Sequence, residues 1–337
     1  MNTRLEQETE RLVQSWMRHD QAMLGNYLIA DVEDPRINVS SILTRHFLLE
    51  QLFGQRFQAL KEQELRFAMV LNWLLALRRD APGLEAFAAV RHALRTGADN
   101  AEGVAIPHWL AGAFGALPTR ANGMWIPNYL GQWLKRAASD PTSGWADRLL
   151  GTFQGLWRRR LRGLRAERLS VLEPACGSAN DYRFLDAFGL APWLDYTGLD
   201  LCEKNVQNAR RLFPQVRFAT GNVFELAAPD RTFDVCFVHD LFEHLSLEGL
   251  EVAIAELCRV TRRAICAGFF NMDEIEDHVE RPVDDYHWNT LSVARTRDAF
   301  ARHAEAVQVI HIGSFLRWRF GCDQTHNPGA YTLIIKL

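Results

Sequence analysis

Residues 168–185, RLSVLEPACGSANDYRFL, contain the transition that decides the fold of this chain. A short apolar run ends at Glu173, a turn of small residues follows, and an amphipathic segment begins near Asn180. In an open α/β sheet the first strand-to-helix turn lies at the ligand edge, and it needs residues without bulk so that the backbone can approach the ligand. The stretch therefore predicts a strand, a ligand-binding turn and a helix.

The kind of ligand is limited by the glycines of this turn. A dinucleotide-binding turn would follow the pattern GxGxxG, with an acidic residue about 20 positions further on. Only one of those glycines, Gly177, is present. The turn therefore argues against a pyrophosphate site.

The pattern of apolar residues changes near residue 165. Before it, long segments such as residues 41–79 place apolar residues at helical spacing and contain no strand of period two. After it, short β-branched runs alternate with helical runs, which is typical of a doubly wound, mostly parallel sheet. We expect an all-helical N-terminal domain at residues 1–165 and an α/β domain at residues 166–337.

Composition narrows the possible partners. The 337 residues carry a net charge of -3, so no overall field favours nucleic acid or an anionic membrane. The six cysteines show no CxxC spacing, as expected in a reducing cytoplasm. The start of the chain lacks the apolar core of a signal peptide, and the longest apolar run, residues 67–77, is too short to span a bilayer. We expect a cytoplasmic protein.

Six arginines lie between Arg158 and Arg168, at the junction of the two halves. A basic run of this kind can bind phosphates. Leucines at 156, 161 and 164 interrupt the run, however, and an exposed linker helix with one buried edge accounts for it equally well.

Four segments of the second half resemble, in order, the motifs of class I S-adenosylmethionine-dependent methyltransferases, of the kind whose fourth strand runs into an EHL turn. They are VLEPACGSAN (171–180), YTGLD (196–200), ATGNVFEL (219–226) and TFDVCFVHDLFEHLS (232–246). The resemblance covers residues 166–337. It implies a seven-stranded, Rossmann-like methyltransferase fold with S-adenosyl-L-methionine as cofactor. The chain departs from the motifs at Ala175 and Ala179, where glycine is frequent, and at Asn222, where aspartate is frequent.

The resemblance also implies roles for single residues. Asp200 would accept the two ribose hydroxyls, and Glu173 would orient the turn or reach the methionine amine. Asn222 and Val223 would flank the adenine. The expected cofactor-binding set is Glu173, Ala175, Gly177, Asn180, Asp200, Leu201, Asn222, Val223, His239 and Asp240, with His239 and Asp240 beside the sulfonium.

The run HDLFEH offers an alternative, because Asp240, Glu243 and His244 fall on one face of a helical turn. With His278 or His287 they would form an oxygen and nitrogen ligand set for a metal. In the resembling group the EHL turn occurs without any metal, so we expect none.

Residues 271–292 form a long connection, and long ordered connections are commonly lids or binding loops. His287 is our candidate general base, because an imidazole titrates near neutral pH. Asn289 is expected to cap the helix that begins near Leu291.

In the superfamily that the chain resembles, an N-terminal helical domain commonly covers the cofactor cleft. The resemblance therefore implies this role for two segments of the helical half, which cluster aromatic and polar residues around prolines. These are residues 24–41, with Tyr27 and Asn38, and residues 123–133, with Trp125, Asn128 and Tyr129. An aromatic wall would suit a sulfonium through cation-π attraction. Tyr129 joins His287 and His239 as a candidate catalytic residue.

The function we expect is methyl transfer to an oxygen or nitrogen of a small molecule, such as a secondary metabolite. The alternative is a lyase or cyclase that forms azetidine-2-carboxylate and methylthioadenosine from the cofactor, with no acceptor. A third hypothesis is a non-enzymatic protein that binds the cofactor, but the intact cofactor motifs favour an enzyme. The expected partner is a small-molecule acceptor, or none beyond the cofactor, rather than a nucleic acid or a membrane.

Overall fold

The fold was analysed in a computed structural model of the chain. It describes residues 3–18, 34–81, 84–117, 145–325 and 327–337.

The first half is helical, as its periodicity predicts. Asn38 begins the second helix by accepting hydrogen bonds from the backbone N–H groups of Ser40 and Ser41. A two-residue antiparallel pair, Asn100–Ala101 with Val104–Ala105, is the only β-structure that the described residues of this half contain. The helices are α1 (Thr3–Arg18), α2 (Val39–Phe53), α3 (Gln58–Asp80), α4 (Leu84–Thr96), α5 (His108–Gly115), α6 (Trp145–Leu150) and α7 (Thr152–Leu161).

The second half is built on a seven-stranded sheet in the order β6-β7-β5-β4-β1-β2-β3. Strand β7 is antiparallel to both of its neighbours, and the other pairs are parallel. This is the predicted doubly wound sheet. Its strands are β1 (Leu169–Pro174), β2 (Leu194–Asp200), β3 (Arg217–Thr220), β4 (Phe233–His239), β5 (Thr261–Phe269), β6 (Ala306–His311) and β7 (Tyr331–Lys336).

Helices connect the strands of the sheet. They are α8 (Asn180–Phe188), α9 (Glu203–Leu212), α10 (Leu247–Val260), α11 (Val293–Ala301) and α12 (Ile312–Phe320), with 3-10 turns at Ala191–Trp193 and Phe242–His244. Within the long connection, Met272–Asp273 pairs with Leu291–Ser292 and Pro282–Val283 with Tyr286–His287.

The helix after the long connection begins later than expected. Ser292 caps α11 by accepting from the N–H of Arg295. The prediction that Asn289 is the cap is wrong, because the Asn289 side chain donates to the carbonyl of Leu245 and accepts from the N–H of Arg281. Asn289 therefore fastens the long connection to the turn that follows β4.

The two halves share a hydrophobic core. One face of the sheet, represented by Val171 and Cys266, is continuous with buried residues of α2, α3 and α7 such as Phe67. The other face, represented by Leu172, packs with α10 and with Leu5 and Leu12 of α1. The helical half thus contacts both faces of the sheet.

The structure bears on two sequence predictions, the exposure of the arginine run and the absence of a membrane span. The arginines of the junction are exposed, while Trp157 and Leu161 form the buried edge of α7. In the described ranges, no helix combines the length and the apolar character that a membrane span requires.

Limited trypsin digestion should cut within residues 162–168, because this segment is exposed and lies outside α7 and β1. The fragments made by this cut should remain associated, since they share one core. Mass spectrometry of the peptides, with gel filtration of the nicked protein, checks both points. Separation of the fragments without denaturant would show that the shared core does not hold the halves together.

Candidate functional site

The small-residue turn lies at the carboxyl end of β1, between β1 and α8. Ala175, Gly177 and Ala179 all have positive φ angles, of 56°, 54° and 66°. Left-handed backbone is disfavoured for alanine by about 1 to 2 kcal/mol, which explains why glycine is frequent at the two alanine positions. A Cβ built on Gly177 would lie 3.4 Å from Asn180 Nδ2, in van der Waals contact, and would be strained at this positive φ.

Asp200, at the end of β2, is hydrogen-bonded to this turn. Its Oδ2 accepts from the N–H of Gly177 at 2.8 Å, and its Oδ1 accepts from the N–H of Cys202 and from Asn205 Nδ2 at 2.9 and 3.1 Å. A carboxylate has about four acceptor positions, so Oδ2 keeps one for a ligand hydroxyl. Burial raises the pKa of Asp200, and these three donors oppose the rise.

Glu173 points into the protein. It is 3% exposed and accepts a hydrogen bond from the hydroxyl of Tyr196. Burial raises the pKa of Glu173 well above its usual range, and the nearby charge of Asp181 raises it further. Glu173 is therefore placed to hold the turn against β2 as a neutral acid.

Asn222 lies beneath the first helix. Its Oδ1 accepts from the N–H of Phe224 at 2.9 Å, and its Nδ2 donates to Thr9 Oγ1 of α1 at 3.1 Å. Val223 and Leu201 are half-buried and pack against the core on the side of α1. Helix α1 is therefore in contact with the loop that the sequence assigns to adenine.

A second contact fastens α1 near the end of β4. Glu8 is 3% exposed, and its carboxylate accepts from both the N–H and the hydroxyl of Ser246, at 2.7 and 2.5 Å. Ser246 is the N-cap of α10. No sequence motif indicated Glu8, because its partner lies 238 positions away.

His239, the last residue of β4, is hydrogen-bonded through both ring nitrogens. Nδ1 lies 3.0 Å from Asp181 Oδ2, and Nε2 lies 2.7 Å from Thr44 Oγ1 of α2. The Thr44 hydroxyl also lies 3.3 Å from the carbonyl of Ser40 and 3.5 Å from Cys266 Sγ. A protonated ring donates from both nitrogens, to Asp181 and to Thr44, whereas a neutral ring that donates to Asp181 accepts from the Thr44 hydroxyl.

The charge of His239 depends on its neighbours. Burial opposes protonation, yet the carboxylate of Asp181 raises the pKa of His239 above its usual value; Asp240 adds to the rise, and Arg45 opposes it. The neighbouring residues also limit the space around the ring of His239. Gly268 on β5 faces the ring, where a Cβ would collide with Cδ2.

The residues of the metal alternative have other partners. Glu243 Oε1 accepts from the N–H of Phe270 at 2.6 Å, and Asp240 Oδ1 lies 3.1 Å from His244 Nε2. The other nitrogen of His244 lies 3.1 Å from the carbonyl of His287. Within the part of the chain that the structure describes, no three His, Cys, Asp or Glu side chains are grouped as metal ligands.

His287 lies apart from His239, on the long connection. It lines a cavity of about 370 Å³ with Glu8 and Glu280, and its Nε2 is 3.3 Å from Glu280 Oε1. Its Nδ1 is buried without a partner among the described residues. Tyr286 and Trp288 contact the ring of His244 instead of the cavity.

The structure thus brings most of the predicted residues to one edge of the sheet, at the ends of β1, β2 and β4. Tyr129 and its neighbours Trp125 and Asn128, and also Tyr27, lie outside the described residues. Two polar contacts of the site, those of Thr44 and Asp181 with His239, were not predicted.

The order of the sheet, the turn after β1 and the acid after β2 agree with one family. Residues 171–264 match the family model described as a methyltransferase domain. This region is similar to methyltransferase domains, which confirms the resemblance drawn from the motifs. S-adenosylmethionine is the cofactor of such domains.

Solved structures are also similar to this chain over more than half of its length. One is an S-adenosylmethionine-dependent methyltransferase from Methanosarcina mazei, with 12% identity, 51% of this chain and 93% of that chain covered, and a TM-score of 0.40. Another, from Mesorhizobium loti, has 14% identity, coverage of 56% and 99%, and a TM-score of 0.42. The [4+2]-cyclase SpnF has 14% identity, coverage of 63% and 94%, and a TM-score of 0.38. No curated protein matches the chain.

Replacing Asp200 with asparagine should weaken binding of S-adenosylmethionine by about 1.5 to 3 kcal/mol, the range for losing a charged hydrogen bond. Asp195→Asn is the matched control, because Asp195 is exposed at the other end of β2. Calorimetric titration of both folded variants measures the effect. Equal affinities for wild type and Asp200→Asn would remove Asp200 from the site.

The ion pair of His239 and Asp181 should make stability depend on pH. A histidine whose pKa is raised on folding stabilises the fold below its unfolded pKa, and this stabilisation is lost as pH rises through the folded value. Asp181→Asn should therefore cost more stability at pH about 6 than at pH about 9, by on the order of 1 kcal/mol. Urea unfolding at the two pH values measures this difference, with Asp186→Asn on the same helix as control. A cost that does not change with pH would mean that His239 is neutral in the fold.

Proposed function

We propose that the protein is an S-adenosylmethionine-dependent methyltransferase whose acceptor is an oxygen or nitrogen atom of a small molecule. The cover over the site supports a small acceptor. Helix α2 contacts His239 through Thr44, and helix α1 contacts Ser246 through Glu8. With two helices of the same chain against this edge of the sheet, a macromolecule has poor access, whereas a small molecule needs only a cavity.

The residues at the edge of the sheet fit the cofactor. Asp200 Oδ2 would accept a ribose hydroxyl, and the turn at Gly177 has no Cβ to block a close approach of the ligand. S-adenosylmethionine supplies an electrophilic methyl carbon on a sulfonium. The task of the chain is to align this carbon with the acceptor and to keep water away.

His287 is the proposed general base. It lines the cavity of about 370 Å³, which is within the usual range for small-molecule sites. Its Nε2 lies beside Glu280, whose carboxylate would stabilise the imidazolium once a proton has been taken from the acceptor. Tyr129 remains a candidate from the sequence.

One observation favours a second function, an intramolecular cyclase. The ring of His239, expected beside the sulfonium, is closed in by Thr44 and Asp181, which leaves no ring nitrogen to meet an acceptor. In this reaction the α-amine forms a bond to the γ-carbon and loses a proton, while the bond from the γ-carbon to sulfur breaks with its electron pair on sulfur. The products are azetidine-2-carboxylate and methylthioadenosine.

The nucleoside product identifies the reaction, because each function leaves a different one. We expect purified enzyme with S-adenosylmethionine alone to turn over little, and addition of a small-molecule cell extract to produce S-adenosylhomocysteine. Mass spectrometry of the nucleosides, with a blank without enzyme and with Asp200→Asn as matched control, measures both. Rapid release of methylthioadenosine without extract would overturn methyl transfer, and azetidine-2-carboxylate formed in equal amount would establish the cyclase.

A further inference from the structure

Three carboxylates, those of Glu173, Asp181 and Asp200, surround the turn after β1, and two of them are already engaged. Glu173 is buried against the hydroxyl of Tyr196, and burial raises its pKa well above the usual range. Asp200 accepts three hydrogen bonds from the protein. Glu173 thus points into the protein, and the acceptor position that Asp200 keeps is expected to serve a ligand hydroxyl.

Asp181 differs from the other two. Its Oδ2 is bonded to His239, while its Oδ1 accepts no hydrogen bond from the described part of the chain. Its side chain is 23% exposed. One oxygen is thus fixed in position, and the other is left for a ligand.

The position of Asp181 in the fold agrees with this role. It lies in the first turn of α8, and His239 ends β4. Strand β1 lies between β2 and β4 in the sheet, so the chain continues from β1 to β2 and β3 on one side and then returns to β4 on the other side. The pair therefore spans the switch point, where ligands of such sheets bind.

The positions of His239 and Asp181 are fixed by several contacts. His239 cannot turn its ring freely, because Thr44 holds Nε2, Asp181 holds Nδ1 and Gly268 is the residue beneath the ring. A ring fixed on three sides fixes the carboxylate bonded to it.

We propose that Asp181 binds the primary ammonium group of the nucleoside–amino acid ligand, and that His239 and Thr44 are positioning residues that hold its carboxylate. This inference rests on the proposed use of S-adenosylmethionine. It assigns a binding role to Asp181, which lies outside the residues indicated by the motifs. It also gives Thr44, a residue of the helical half, a part in ligand recognition.

The test compares two nucleosides that differ in the group on sulfur, which carries the ammonium and the carboxylate in only one of them. S-adenosylhomocysteine carries the amino acid portion, whereas methylthioadenosine lacks it. Asp181→Asn should weaken the binding of S-adenosylhomocysteine by about tenfold to a hundredfold, because a charged hydrogen bond is lost. The affinity for methylthioadenosine should stay within about twofold of the wild-type value. Asp186→Asn, an exposed change on the same helix, is the matched control. Calorimetric titration measures all affinities.

Variants of Thr44 test the proposal independently. Thr44→Val replaces the hydroxyl with a methyl group and should weaken the binding of S-adenosylhomocysteine but not of methylthioadenosine. The loss should be smaller than that caused by Asp181→Asn. Thr44→Ser keeps the hydroxyl and should restore binding. If Asp181→Asn does not fold, Asp181→Ser replaces it, because serine is favourable near a helix N-terminus.

The outcomes separate this proposal from the function on which it rests. Wild-type protein that binds neither nucleoside would contradict the proposed function, and the role of Asp181 would fall with it. Normal S-adenosylhomocysteine binding by Asp181→Asn would overturn the role of Asp181 alone. An equal loss for both nucleosides would overturn it too, since it would mean that Asp181 only supports the turn.

Discussion

The hydrogen bonds on the two nitrogens of His239 link the parts of this protein to one another. One bond is made with Asp181, in the helix that follows the small-residue turn, and the other with Thr44 in the helical half. Because both are made by a ring that is 10% exposed, neither partner can be replaced by water. The position of helix α2 and the position of the helix after the small-residue turn therefore both depend on the side chain of His239.

Helix α2 can keep Thr44 in place because the next residues are fixed by a buried polar network. Glu64 of α3 accepts from Arg45, His46 and Trp157, and Arg45 also lies over the ring of Phe188 on α8. Burial lowers the pKa of His46, and the Arg45 guanidinium, 3.0 Å from Glu64 Oε1, helps to hold the pKa of Glu64 below its usual value against the effect of burial. Buried ion pairs add little net stability, but removal of one partner is costly, which suits a network that sets the position of a helix.

Much of this arrangement could be predicted from the sequence, and the limits are physical. The alternation of β-branched and helical runs predicts the sheet, and the small residues from Ala175 to Ala179 predict the turn. The contact of Thr44 with His239 could not be predicted, because it joins residues 195 positions apart and leaves no local pattern. Asp181 was missed for a different reason, since an acid in the first turn of a helix is common wherever it favours the helix dipole.

On the proposed function, selectivity for the acceptor would be set by the helical half. The turn after β1, the acid that ends β2 and the loop at Asn222 belong to the segments that resemble cofactor-binding motifs. Helix α1, through Glu8 and Thr9, and helix α2, through Thr44, contact the residues at this edge of the sheet. The reaction that follows cofactor binding must then depend on how much space these helices leave beside the sulfonium. A change in α1 or α2 that left the cofactor residues intact would therefore be expected to alter the acceptor before it altered the affinity for the cofactor.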